Sequence, residues 1–169
     1  MSDVTLDHLL AVASRAPVAA YGAPPALAAL VAARVAGGGE PLVVVLPDEA
    51  AAARLAEDIA FFLPPGDADR VVHVPAIDTS PYAELSPDRR AVMQRLAALF
   101  RLSHGDGSDI VVLSALSLMR RTLPPDELSA LTDVLIAEEE IDRDRTVDLL
   151  VRAGYARVPV VEDPGTFAV

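Results

Sequence analysis

Two continuous apolar runs constrain this chain more than anything else in it: PLVVVL from Pro41 to Leu46 and DIVVLS from Asp109 to Ser114. Neither alternates apolar with polar residues. A β-branched run with no polar side reads as a strand covered on both faces, the habit of parallel sheets. A shorter run, Val71 to Val74, lies between them. The intervening stretches change to a period near 3.6. Leu55, Ile59 and Phe62 fall on one side of a helix that Asp48 should cap and Pro64-Pro65-Gly66 should end. Val92, Leu96, Leu99 and Phe100 form a second stripe, with Ser86 as the expected cap and Pro87 at the first helical position. Strands alternating with helices at this spacing mean βαβ units, a parallel sheet and the α/β class.

Upstream, Leu6, Leu9, Leu10 and Val12 predict a helix over Val4 to Ser14, so residues 1–15 read as an N-terminal helix. Ala16 to Tyr21 reads as a short buried strand, and Pro25 opens a helix to about Val35 that Gly37-Gly38-Gly39 ends. Residues 16–121 are thus expected to hold a sheet of four or five strands with helices on both faces. The pattern changes after Arg121. Residues 122–169 read as a second, smaller α/β unit: a helix near Asp126 to Leu131, a strand near Asp133 to Ala137, a helix over Asp142 to Arg152 and a strand from Ala156 to Val161. Phe167 to Val169 reads as the start of a strand without a partner, so the sequence is expected to stop within this unit.

Composition narrows the chemistry. Hydrophobic residues make up 52% of the 169, enough for a packed core, and all 14 basic residues are arginine. The absence of lysine excludes a phosphate-loop lysine, a Schiff base and a pyridoxal-phosphate site in this stretch. The absence of cysteine excludes disulfides, thiolate catalysis and Cys-based metal sites. A net charge of −11 opposes non-specific binding to nucleic acid, which needs cations against phosphates. No apolar run nears the ~20 residues of a membrane span, and MSDVTLDHLL lacks the basic start of a secretory signal, so a cytoplasmic address is expected.

The first turn after the expected first strand is where a nucleotide-binding α/β protein cradles phosphate, and here it reads Tyr21-Gly22-Ala23-Pro24-Pro25-Ala26. Only Gly22 suits that task, and two prolines remove backbone donors. His8, His73 and His104 fall in different elements and predict no metal site. Ser80, Ser86, Ser114 and Ser117 lack a nucleophile-elbow context. Glu138-Glu139-Glu140 reads as a solvated face, and Arg120-Arg121 as cations at a helix end. Arg157, at a helix-to-strand corner, fits either a surface ion pair or the recognition of a carboxylate on a partner.

Three stretches carry a family resemblance: LVVVLPD at Leu42 to Asp48, DTSPYAELSP at Asp78 to Pro87, and GYARV at Gly154 to Val158 followed by GTFA at Gly165 to Ala168. In this order they resemble the N-terminal region of the bacterial transcription-repair coupling factors (Mfd), which is similar in fold to the excision-repair protein UvrB. The resemblance runs from about Ala16 to Val169. It implies a helicase-type, RecA-like sheet that has lost ATP binding, with Pro25 in the lysine slot and Ala26 in the Ser/Thr slot, and a smaller inserted domain that begins near residue 122. UvrB keeps the lysine and a long damage-probing hairpin, for which there is no room between Tyr82 and Ser86. The smaller domain resembles the part that binds UvrA. Arg157 matches a position of that recognition surface, with Tyr155 and Phe167 in the same motifs. The family continues beyond Phe-Ala with Arg-Gly and an aspartate, so the second recognition arginine is expected outside this sequence. The RNA-polymerase-binding module and the motor that uses ATP and magnesium to move on duplex DNA are expected outside it too.

Together these features point to an adaptor that recruits UvrA to stalled RNA polymerase and itself catalyses nothing, with no cofactor and no membrane contact. The alternative is a free-standing α/β enzyme that binds an anion at the strand C-terminal ends, near Gly22 and Ser114.

Overall fold

The computed structural model describes residues 5, 8, 10–11, 17–19, 21–36, 41–77, 88–105, 110–138 and 140–169. Its centre is a three-stranded parallel sheet made of β1 (Leu42–Leu46), β2 (Val71–Val74) and β3 (Ile110–Ser114), in the order β1-β3-β2. Register is set pair by pair: Val43 lies opposite Val111 and Val45 opposite Leu113, while Val72 and Val74 flank the same two β3 residues from the other side. The central place of β3 accounts for its burial, with Ile110, Val112 and Ser114 fully enclosed.

Two layers of helix cover the sheet. On one face α1 (Pro25–Val35) and α2 (Glu49–Phe62) pack Ala29, Ala32, Leu55 and Ile59 against Ile110 and Val112. On the other face α3 (Arg89–His104) sets Ala98 and Leu102 over Val72, Val74 and Leu113. The sequence predicted this α/β arrangement and most of its boundaries. Pro25 opens α1 at its first turn, and the Asp48 carboxylate caps α2 by accepting from the Ala51 N–H at 2.8 Å.

Several expectations change. Pro17, Val18, Ala19 and Tyr21 are in no strand, and Tyr21 is 94% exposed. The described sheet therefore has three strands instead of four or five. β1 is an edge strand, and α3 covers only the β2–β3 half of its face, so Val43 and Val45 are 56% and 47% exposed although the run reads as buried on both sides. The α3 stripe is rotated: Arg95 and Ala98 are its buried residues, while Leu96 faces out. Ser86, Pro87 and the rest of 78–87 lie outside the described residues, and the Asp88 carboxylate accepts from the Arg90 N–H at 2.9 Å to cap α3. Of the expected N-terminal helix, His8, Leu10 and Ala11 are helical; most of it, like Glu139, lies outside the described residues.

Beyond β3 run three short helices, α4 (Ala115–Met119), α5 (Pro125–Ala130) and α6 (Arg143–Arg152), then β4 (Ala156–Arg157) and β5 (Thr166–Phe167). The apolar stretch Val134 to Ile136 is exposed and forms no strand, because no strand among the described residues takes its backbone bonds. Phe167 does have a partner: β5 pairs in parallel with β4, placing Phe167 opposite Arg157. The 125–169 segment is tied to α3 by Arg89 Nη1 donating to the Pro164 carbonyl at 3.0 Å and by a 3.3 Å contact between Ser129 Oγ and His104 Nε2.

Candidate functional site

The C-terminal edge of the sheet is the first place to look, because open α/β sheets bind ligands outside the carboxyl ends of their strands. Five side chains meet there. Glu49, the first residue of α2, follows β1; His73 lies on β2; Ser114 ends β3; Ser117 is on α4; and Arg95 reaches in from α3. Glu49 Oε2 accepts from the Ala76 N–H at 3.0 Å and from Ser114 Oγ at 2.9 Å. Its Oε1 lies 2.9 Å from His73 Nε2, and these two atoms, both sealed from solvent, meet without the alignment of a hydrogen bond. Ser114 Oγ in turn accepts from the Ser117 N–H at 3.1 Å, which caps α4.

Arg95 holds the other half. It is 5% exposed, and its Nη1 donates to the Pro75 carbonyl at 2.9 Å and to Ser117 Oγ at 2.6 Å, while Nη2 donates to the Ser117 carbonyl at 3.2 Å. Burial draws this guanidinium below its usual pKa; the Glu49 charge opposes that shift and Arg120 adds to it.

This is not a hydrolase triad. The carboxylate stands between the serine and the histidine, so the imidazole has no direct line to Ser114 Oγ, whose proton already goes to Glu49. Sequence reasoning missed Glu49 and Arg95 entirely, because their partners lie 20 to 65 residues away in the chain. Gly22 sits elsewhere in the chain with φ +75 and open space around it. Pro24 and Pro25 have no N–H, and the N–H groups of Leu27 and Ala28 are taken by the Pro24 carbonyl at 2.9 and 3.2 Å. With Pro25 and Ala26 exposed, the loop offers few donors to phosphate.

The second place is the corner after α6. Gly154, at φ +90, ends the helix: its N–H donates to the Val151 carbonyl and the Tyr155 N–H to the Leu150 carbonyl at 2.9 Å, the paired bonds of a Schellman motif. This turn launches β4. The Ala156 N–H donates to the Gly165 carbonyl and the Val158 N–H to the Phe167 carbonyl at 2.9 Å, and Phe167 is 8% exposed beneath them. Arg157 is exposed on that strand, and its guanidinium makes no hydrogen bond or ion pair with the described residues. Tyr155 instead lines an apolar groove of about 530 Å³ with Leu96, Phe100, Leu128 and Leu149. The structure thus brings Arg157 and Phe167 together, with Phe167 seating the strand and Arg157 presented outward. A β-carbon at position 154 meets no atom within 4 Å, so Gly154→Ala suffers only the cost of its positive φ; about 1 kcal/mol of lost stability is expected in urea unfolding.

The chain is similar to known proteins. A transcription-repair-coupling factor of Myxococcus xanthus is 45% identical over 132 residues, 76% of this chain and 11% of the relative. One of Mycobacterium tuberculosis is 36% identical over 154 residues, 87% of this chain and 12% of the relative. The chain belongs to the transcription-repair coupling factor family, in its N-terminal region. It spans about a ninth of the length of the coupling factors it matches. The UvrABC system protein B of Thermosipho africanus is 26% identical over 141 residues, 78% of this chain and 21% of that protein. No family model matches the chain. Among its described residues, no helix is long and apolar enough to cross a membrane.

Proposed function

We propose that this stretch of the coupling factor is an adaptor in transcription-coupled nucleotide excision repair, binding UvrA through residues 122–169, a small domain inserted after 16–121. Arg157 carries the reading: an exposed guanidinium without a partner among the described residues, held at a defined place by the Gly154 turn and the pairing with β5. Such a planar cation suits a carboxylate on the partner. Phe167 acts beneath it as a positioning residue, and Tyr155 offers the edge of the neighbouring apolar groove. The similarity to coupling factors and to UvrABC system protein B supports a role beside the excision machinery.

In this reading the stretch catalyses nothing. Its strand-end crevice is filled by its own side chains, and its first loop lacks lysine. The rest of the parent protein would bind RNA polymerase and duplex DNA and spend ATP, with magnesium, on translocation. The test is a calorimetric titration of the chain with UvrA. Arg157→Ala is expected to weaken binding about 30- to 4,000-fold if the pair is buried in the complex. Its melting temperature should match the unmodified chain, since its guanidinium bonds to none of the described residues. An unchanged Kd would sink the assignment.

A further inference from the structure

The strand-end crevice has the make-up of an anion site whose anion is part of the chain. Its donors are the Ala76 N–H and the Ser114 hydroxyl, which converge on Glu49 Oε2 at 3.0 and 2.9 Å, and the edge of the His73 ring lies 2.9 Å from Oε1. Behind them stands Arg95, a buried guanidinium whose hydrogen bonds go to two carbonyls and one hydroxyl, all neutral acceptors. A buried cation without an anion nearby is strongly unfavourable. Glu49 is also the first residue of a 14-residue helix, where the helix dipole favours negative charge. The crevice therefore gathers two backbone or hydroxyl donors, a buried cation and a helix start around one carboxylate.

We infer that Glu49 is the built-in counter-anion of a small oxyanion site at the strand ends, and that acetate takes its place when the carboxylate is removed. The size follows from the chemistry. Glu49→Ala deletes one methylene and one carboxylate, which together are an acetate ion. In the unmodified chain the same geometry makes the crevice refractory to added anions, because its donors are already spent. The site is independent of the Arg157 surface and of UvrA.

The experiment is thermal unfolding of the chain in sodium acetate against sodium chloride at matched ionic strength. The unmodified chain supplies the baseline for the general effect of each salt. Glu49→Ala is expected to melt about 2–12 °C lower than the unmodified chain in chloride, because the Ala76 N–H and the Ser114 hydroxyl lose their acceptor. Beyond the baseline, about 0.2 M acetate should then raise its midpoint by about 3–7 °C, as for a site of roughly 10 mM affinity, and the rise should saturate. Glu49→Gln keeps the side-chain volume and loses the charge, so it should melt below the unmodified chain and show no acetate-specific rise. If Glu49→Ala responds alike to the two salts, the inference is overturned. Should Glu49→Ala fail to fold, Glu49→Gln decides: a midpoint equal to that of the unmodified chain would show that Arg95 needs no counter-anion there.

Discussion

Arg95→Ala is expected to lower the stability of the chain by about 3–5 kcal/mol, among the larger effects a single side chain can have. The loss has three parts. The Pro75 and Ser117 carbonyls lose the donors that bind them at 2.9 and 3.2 Å, and Ser117 Oγ loses its 2.6 Å partner. The Pro75 carbonyl keeps only a long 3.4 Å contact from Ser117 Oγ, and an acceptor left unpaired in a sealed region keeps its desolvation cost, roughly 1–3 kcal/mol at most. Glu49, linked to Arg95 through Ser114 and Ser117, also loses the favourable influence of that charge. Finally, α3 loses the long side chain that joins it to Pro75, just after β2, and to α4. Arg95→Lys retains the charge but not the fork that reaches Pro75 and Ser117 together, so it should recover only part of the loss. Urea unfolding of the three proteins checks this order. Equal midpoints for Arg95→Ala and the unmodified chain would mean that the clamp holds nothing in solution.

Ile110→Ala should cost about 2–5 kcal/mol, while Val43→Ala on the adjacent strand should cost well under 1 kcal/mol. In sequence the two positions look alike, since each begins a β-branched apolar run. The structure separates them. Ile110 is fully enclosed beneath α2, with Leu55, Ile59 and Val112 around it, so its truncation leaves a cavity that rigid neighbours on both sides cannot collapse. Val43 projects from the face of the edge strand that α3 does not reach and is 56% exposed. Its methyl groups leave water only in part, and their loss opens no cavity. Denaturant midpoints of the two variants read the topology directly. A large loss at Val43, or a small one at Ile110, would contradict the order β1-β3-β2 or the face each strand presents.

The positions of the three strands, α1, α2, α5 and α6 were legible in the chain because their signals are local. A β-branched run, a capping aspartate such as Asp48, and a proline at a helix start each act within a few residues. The corner that presents Arg157 was also legible, since Gly154 is the residue a Schellman turn requires and lies directly after a periodic helix. Local signals misled where the outcome depends on neighbours. Val134 to Ile136 has strand-forming residues but no strand beside it, and Leu96 has the right spacing for a core position that Arg95 and Ala98 hold.

By itself, then, the sequence determined the α/β class, the parallel pairing, the Asp48 cap of α2, the exclusion of lysine and cysteine chemistry, and the family. Only the tertiary structure decided which strand is central, which face of β1 stays open, and that Glu49, His73, Ser114, Ser117 and Arg95 form one polar cluster. The reason is the range of the forces. Capping and periodicity are fixed by atoms a turn apart, whereas the buried guanidinium of Arg95 finds its carbonyl and hydroxyl acceptors only after the strands and helices have packed, when desolvation makes that meeting decisive.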